Sequence, residues 1–372
     1  MKNKLYVYQR VLPHYRHEFF ELLAHDLNMS GLDFELVYGL ERSGTVPCTK
    51  KINAVWAKVN KNIYVNIFGV EVVFQLAPLP RRNSFVVVEQ SNRLVFNYIL
   101  LLLKSVGWCH VAFWGHGRNH QSGPAGLREK FKRSISTWVD WWFAYTDDTG
   151  KYVESLGYPA EKITSVMNSI NTRSLSAELK LLKEHVSCSK MDGKVQRGIY
   201  CGGMYPEKRL DFLFLVLDKI KARCSGFEFV FIGSGPDAEK VKNFCFDRDW
   251  CEYVGPITDL TRVKYFLDSD VFLMPGLVGL AVLDSFALET PMITTDIEMH
   301  SPEIEYLKDG VNGLISKNNV DDYVDVVISV FEDKSKLESL KAGCRCSAEA
   351  YTVENMASRF HDGVIKWVGE RL

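Results

Sequence analysis

A chain of 372 residues is long enough for two domains of ordinary size, and 47% apolar with 24% charged residues is the composition of a globular protein. No apolar run reaches the roughly 18–20 residues of a membrane span, and the start MKNKLYVYQRVLP lacks the apolar core and cleavage site of a signal peptide. The net charge of −1 hides an asymmetry: residues 1–190 hold 24 Lys and Arg against 16 Asp and Glu, the remainder 21 against 30.

In chain order, residues 2–9 read as a strand and His14–Leu27 as a helix with Phe19, Phe20, Leu22 and Leu23 inward. Strands follow at Phe34–Tyr38, Val55–Val59, Val70–Phe74 and Phe85–Glu89, the last a run of the kind buried on both faces. Leu94–Leu103 is helical, His110–Trp114 a strand ending in Trp114-Gly115-His116-Gly117, Leu127–Trp138 a helix, and Trp141–Tyr145 and Ile163–Val166 strands. The segment 174–196 turns polar and reads as a helix and linker. A second alternation then begins, with strands at Gly198–Gly202, Glu228–Ile232, Glu252–Val254 and Asp270–Met274, and helices at Arg209–Ala222, Ala238–Phe246, Leu260–Leu267 and Leu280–Leu288. Strands alternating with helices imply two α/β, doubly wound parallel-sheet domains, at 1–190 and 191–350. A final helix, Asn355–Trp367 within 351–372, is expected to cross back to the first. The nine cysteines form no Cys-x-x-Cys pair, so reduced thiols and no metal site are expected.

The chemistry points to the second half. Val271–Met274 runs into the turn Pro275-Gly276-Leu277-Val278-Gly279 and then a helix from Leu280, leaving backbone N–H groups that suit a phosphate. Asp284, one turn further on, is placed to reach a sugar hydroxyl of the same ligand. Three more turns follow strands in the same way: Gly202-Gly203 leading to Lys208-Arg209, Gly233-Ser234-Gly235-Pro236, and Gly255-Pro256. In an open parallel sheet, ligands bind at the carboxyl ends of the strands, so the four turns describe one edge of a site. Lys208 and Arg209 at a helix start oppose the helix dipole, and a diphosphate there would compensate their placement.

The block Gly202–Leu314 resembles the donor domain of retaining glycosyltransferases of the GT-B fold and the family 4 kind. The resemblance runs through Val230-Phe231-Ile232-Gly233-Ser234-Gly235-Pro236, Ser269-Asp270-Val271-Phe272-Leu273-Met274-Pro275 and Asp309-Gly310-Val311-Asn312-Gly313-Leu314. It implies two Rossmann-like domains facing a central cleft, a nucleotide-diphosphate sugar as donor, and no metal or cofactor. Lys208 matches the lysine that binds the diphosphate, whereas the usual arginine after the first glycine is Gly203. Of the family's two glutamates eight residues apart, the second is Asp284, on the ribose, and the first is Gly276. The amides of Val278, Gly279 and Leu280 would hold sugar and phosphate, and His116 resembles the first-domain histidine beside the donor sugar.

The first domain is then expected to bind the acceptor, a saccharide or lipid-linked saccharide. Its first turn sets Arg10, His14, Tyr15 and Arg16 at the site, and Arg118, Asn119, His120 and Gln121 extend the polar rim. Leu127–Trp142 combines Arg128, Lys130, Lys132 and Arg133 with Phe131, Trp138, Trp141 and Trp142, an interfacial candidate in which the last two tryptophans serve equally well as core. A cytoplasmic enzyme, peripheral at the inner face of an anionic membrane and without a nucleic-acid partner, is the expectation. A nucleotide-sugar epimerase of the same fold and a non-catalytic sugar-nucleotide binding subunit are the alternatives.

Overall fold

A computed structural model describes residues 3–42, 51–67, 69–117, 134–186, 196–257 and 259–371. The chain divides into two compact units, residues 1–171 with 353–372, and residues 172–352.

The first unit holds a seven-stranded parallel sheet. Its strands are β1 (Lys4–Gln9), β2 (Asp33–Tyr38), β3 (Ala57–Val59), β6 (Ser84–Glu89), β7 (Cys109–Gly115), β8 (Trp141–Ala144) and β9 (Ile163–Ser165), in the order β3-β2-β1-β6-β7-β8-β9. Alternate residues of β1 and β6 face opposite cores. Leu5, Val7, Phe85 and Val87 join one cluster. Tyr6, Tyr8, Val86 and Val88 join the other, with Phe96 and Leu100 of helix α2 (Val95–Ser105). The first cluster is closed by helix α1 (His17–Met29) and by the C-terminal helix Val353–Gly369, whose Val353, Met356, Ala357, Phe360, Val364 and Trp367 recur at helical spacing on one buried face. Phe360 stacks on Phe143 at 4.1 Å between ring centroids. Gly363 admits the close approach, since a Cβ there would lie 2.5 Å from Thr164 Oγ1.

The second unit holds β10 (Gln196–Cys201), β11 (Phe227–Ile232), β12 (Cys251–Gly255), β13 (Val271–Leu273), β14 (Met292–Thr295) and β15 (Gly313–Ser316), all parallel in the order β12-β11-β10-β13-β14-β15. The order reverses at β10, between β11 and β13, the switch point where such sheets take ligands.

Three features differ from the sequence reading, and one alternative it left open, for Trp141 and Trp142, is decided. Val70–Gln75 (β5) does not join the parallel sheet; it pairs antiparallel with Asn62–Ile67 (β4) as a separate hairpin. A valine-rich run of this length is compatible with either arrangement, and only its partner decides. The unit boundary falls at 171/172 rather than 190. The polar helix Arg173–Val186 belongs to the second unit, where Ser176 Oγ donates to the Ala287 carbonyl. Trp141 and Trp142 are core, their indole N–H groups donating to Thr164 Oγ1 and the Ser136 carbonyl. Finally, three helices carried cap signals that were not read: Asp147–Ser155 behind Thr146, Val320–Glu332 behind Asn319 and Lys334–Ala350 behind Asp333. The basic residues Arg128, Lys130, Lys132 and Arg133 lie outside the described residues. Among the described residues no helix is long and apolar enough to cross a membrane.

Candidate functional site

Strand order puts the four expected turns side by side at the carboxyl edge of β12, β11, β10 and β13. Their roles there differ. Gly233 and Gly235 have φ of +144° and +152°, and a Cβ on either would strike a backbone carbonyl, of Gly202 at 1.9 Å and Met204 at 2.2 Å. The Gly233 amide is spent on the Gly255 carbonyl. These glycines seat one turn against the next and leave Gly233 no donor for a ligand. Gly255, at φ +80°, has nothing within 4 Å of a Cβ, so with Pro256 it ends the strand beside open space.

Lys208 and Arg209 stand at the switch point. Lys208 closes a 3-10 turn, Pro206–Lys208, and is 5% exposed. Its ammonium donates to the Leu277 carbonyl at 2.5 Å, lies 3.6 Å from Met274 Sδ and sits over the Tyr205 ring. No carboxylate pairs with it among the described residues, and burial pulls its pKa from 10.5 down to about 8. Arg209 is held in the left-handed region at φ +55° immediately before the helix Leu210–Arg223, an unusual backbone for a non-glycine residue. Its guanidinium lies over Phe212, within 3.5 Å of the Pro275 carbonyl and 3.4 Å of Thr295 Oγ1. Two cations thus converge on the Pro275–Leu277 turn, and their hydrogen-bond partners among the described residues are neutral.

Gly203 and Gly276 stand where the resemblance leads one to expect an arginine and a glutamate; backbone excludes a side chain at 276, whereas at 203 a side-chain ring would have to move. A Cβ at 203 would meet the Tyr205 ring at 2.7 Å. One at 276 would lie 2.4 Å from both the Glu207 carbonyl oxygen and the Lys208 carbonyl carbon. The Leu277 amide donates to that Glu207 carbonyl at 2.8 Å, so the Lys208 turn is packed directly on position 276.

Of the three amides expected to meet phosphate and sugar, that of Val278 is already used: it donates to His300 Nδ1 at 3.0 Å. The amides of Gly279 and Leu280 have no partner among the described residues. Asp284 is 9% exposed and bound to Arg262, Nη2 to Oδ1 at 3.1 Å. Burial raises its pKa, and Arg262 opposes the rise. Arg262, His300 and Tyr205 were missed in the sequence. Arg262 is one charge at the start of a short helix, and His300 sits in a loop after β14, so neither carries a spacing signal. Among the described residues no cluster of three or more His, Cys, Asp or Glu is arranged to hold a metal.

In the first unit the expected acceptor residues separate. His14 and Tyr15 are exposed, edge to face at 5.9 Å. Arg10 is exposed, its amide donating to Glu89 Oε1. Arg16 is not available as read: it is 4% exposed, bonded to Asn168 Oδ1, 3.3 Å from Met356 Sδ and over the Trp114 ring at 5.0 Å. His116 is exposed at the end of β7, 4.2 Å from the Tyr145 ring. Arg118 and Asn119 lie outside the described residues, as do His120 and Gln121.

Residues 196–333 match the family model described as glycosyl transferases group 1. No curated protein sequence matches the chain. Solved structures do. Anabaena HepE in complex with UDP is similar over 98% of this chain and 99% of its own, at 12% identity and a TM-score of 0.66. The lipopolysaccharide outer core galactosyltransferase WaaB is similar over 97% and 99%, at 16% identity and 0.65. The pneumococcal O-GlcNAc transferase GtfA, in complex with UDP and GlcNAc, is similar over 99% of each chain, at 10% identity and 0.63. The chain therefore has the GT-B fold, and its residues 196–333 resemble the group 1 glycosyltransferases.

Proposed function

We propose that this protein is a retaining hexosyltransferase that takes its sugar from a nucleoside-diphosphate donor and gives it to a hydroxyl of a saccharide or lipid-linked saccharide. The observation that carries the reading is the Lys208 ammonium, buried with Arg209 beside it and, among the described residues, no carboxylate in ion-pair contact with either; Glu207 acts on Lys208 only through space and does not offset its burial. Leaving a cation desolvated in this way is unfavourable in the empty protein and becomes favourable when an anion arrives. UDP or a UDP-sugar is what the similar HepE structures hold, and WaaB is a galactosyltransferase by name.

In the proposed reaction the bond between the sugar C1 and the phosphate oxygen breaks and a bond from the acceptor oxygen to C1 forms on the same face. The acceptor proton leaves with the departing phosphate. Lys208, Arg209 and the Gly279 and Leu280 amides would hold the charge that grows on the leaving group, which makes a metal unnecessary. Asp284 would grip the ribose, with Gly202 and the Gly255-Pro256 turn lining the donor's remaining path. His116 would act on the sugar, and Arg10, His14 and Tyr15 on the acceptor. We place the enzyme in the cytoplasm, held at an anionic membrane surface by the basic first half. Incubating the protein with a panel of nucleotide sugars and identifying the products tests the reading, which predicts a glycoside with retained anomeric configuration.

Gly276 favours a second reading, a sugar-nucleotide binding subunit without transfer, because no acid fits at that position. The same panel separates the two: donor bound and recovered unchanged with every acceptor supports the second. An epimerised donor would instead support the third expectation.

A further inference from the structure

The peptide group joining Leu277 to Val278 is gripped at both ends. Its carbonyl accepts from Lys208 Nζ at 2.5 Å, and its N–H donates to His300 Nδ1 at 3.0 Å. On the other side of the same ring, Nε2 lies 2.8 Å from the Thr295 carbonyl oxygen. The next residue completes the hold, since the Ser301 amide donates to the Val278 carbonyl at 2.9 Å and Ser301 Oγ lies 3.4 Å from where a Gly279 Cβ would be. His300 is 6% exposed, so bulk solvent competes little for these contacts.

The two partners fix the state of the ring. A backbone N–H needs an acceptor, so Nδ1 carries no proton; a carbonyl needs a donor, so Nε2 carries one. Only the neutral Nε2–H tautomer satisfies both. Protonation would set an Nδ1–H against the Val278 N–H and break the hold. Burial already disfavours the charged ring, the Thr295 carbonyl opposes this, and the charged groups acting on the ring, Lys208 and Arg209, are both cationic and disfavour it further.

We propose that His300 is a positioning residue for donor binding: as a neutral ring it holds the Pro275–Leu280 turn in the form that presents the Gly279 and Leu280 amides. This rests on the donor reading above. When a diphosphate draws Lys208 away from the Leu277 carbonyl, Thr295 and Glu207 still hold Pro275 and Leu277, and His300 and Ser301 are the contacts that hold Val278, next to the two amides. His300 touches no reacting atom in this account, and both its nitrogens are committed to the protein.

The test compares wild type, His300→Asn and His300→Ala by calorimetry with uridine diphosphate between pH 8 and pH 5. Asn offers Oδ1 near the place of Nδ1 but does not titrate, so it keeps the acceptor and removes the proton. Below the point at which the ring protonates, which lies under its ordinary value, the ratio of wild-type to Asn affinity is expected to fall about tenfold per pH unit, as the competent fraction falls. The nucleotide's own phosphate titration divides out of that ratio. Near pH 8 the Asn variant should bind as wild type does, and Ala more weakly. Parallel profiles for wild type and Asn over a range in which the nitrogen NMR spectrum shows the ring protonating would overturn the proposal, and so would a ring protonated on Nδ1 at pH 8. If uridine diphosphate binds to no variant while the Val278 amide still titrates with the ring, the hold on the turn stands and the donor reading falls.

Discussion

The two units begin alike. In each, the first strand runs into a turn bearing cations, and in each one cation ends up buried against a methionine sulfur: Arg16 beside Met356 and Lys208 beside Met274. Beyond that the surroundings diverge. Arg16 is enclosed by the rings of Tyr15, Phe19, Trp114 and Tyr145 and by the Asn168 amide, so its charge is spread over faces that suit it. Lys208 has one carbonyl, one sulfur and one ring face, and burial pulls its pKa down to about 8. One buried cation ties the N-terminal turn to the C-terminal helix. The other, in the function proposed above, is left for a ligand. A turn rich in rings makes structure, and a turn rich in glycine makes a site.

The contrast can be broken in graded ways. The largest effect is expected from Gly276→Glu, which restores the family's acid to a position with no room for a Cβ. Pushing the Lys208 turn away should cost about 3–5 kcal/mol in denaturant unfolding and abolish donor binding. Gly255→Ala is the control, losing only about 1 kcal/mol for its left-handed backbone, since nothing stands within 4 Å. An equally mild Gly276→Glu would show that the turns are not packed as described.

Arg16→Ala comes next. Removing the guanidinium from its rings and from Asn168 should lower stability by roughly 2–4 kcal/mol while donor affinity in the folded protein is unchanged. A selective loss of acceptor affinity with stability intact would return Arg16 to the acceptor site.

The smallest effect is expected from Asp284→Asn, with a loss of about 1–2 kcal/mol in nucleoside-diphosphate affinity, since a neutral amide still reaches a ribose hydroxyl. Full binding with no transfer would mean that Asp284 works on the sugar.

Much of this was legible. Strand-and-helix alternation, both parallel sheets and the four turns at one sheet edge followed from apolar runs and glycine placement. Lys208 and Arg209 stood out because cations are unfavourable at a helix start. The rest depended on partners distant in sequence. That Gly233 serves packing is decided by Gly202, and that Gly276 excludes a side chain is decided by the backbone of Glu207 and Lys208. His300 lies 22 residues from the amide it holds, in a loop with no period to reveal it. The β4–β5 hairpin failed for the same reason: pairing is not written in either strand alone.

The central claim is that Lys208 is kept buried and unpaired for a diphosphate, and Lys208→Met tests it most directly. The side chain keeps its length and apolar stem and loses only the charge. Because the folded pKa is about 8 against 10.5 ordinarily, the unfolded chain binds the proton more tightly, and wild-type stability should climb relative to the variant as pH rises through that window. At pH 7 the variant should therefore be the more stable protein, by up to about 3 kcal/mol, yet bind nucleoside diphosphate at least tenfold more weakly. A variant that binds as wild type does, or one that is less stable at pH 7 with affinity unchanged, would make Lys208 a structural residue like Arg16 and contradict the account.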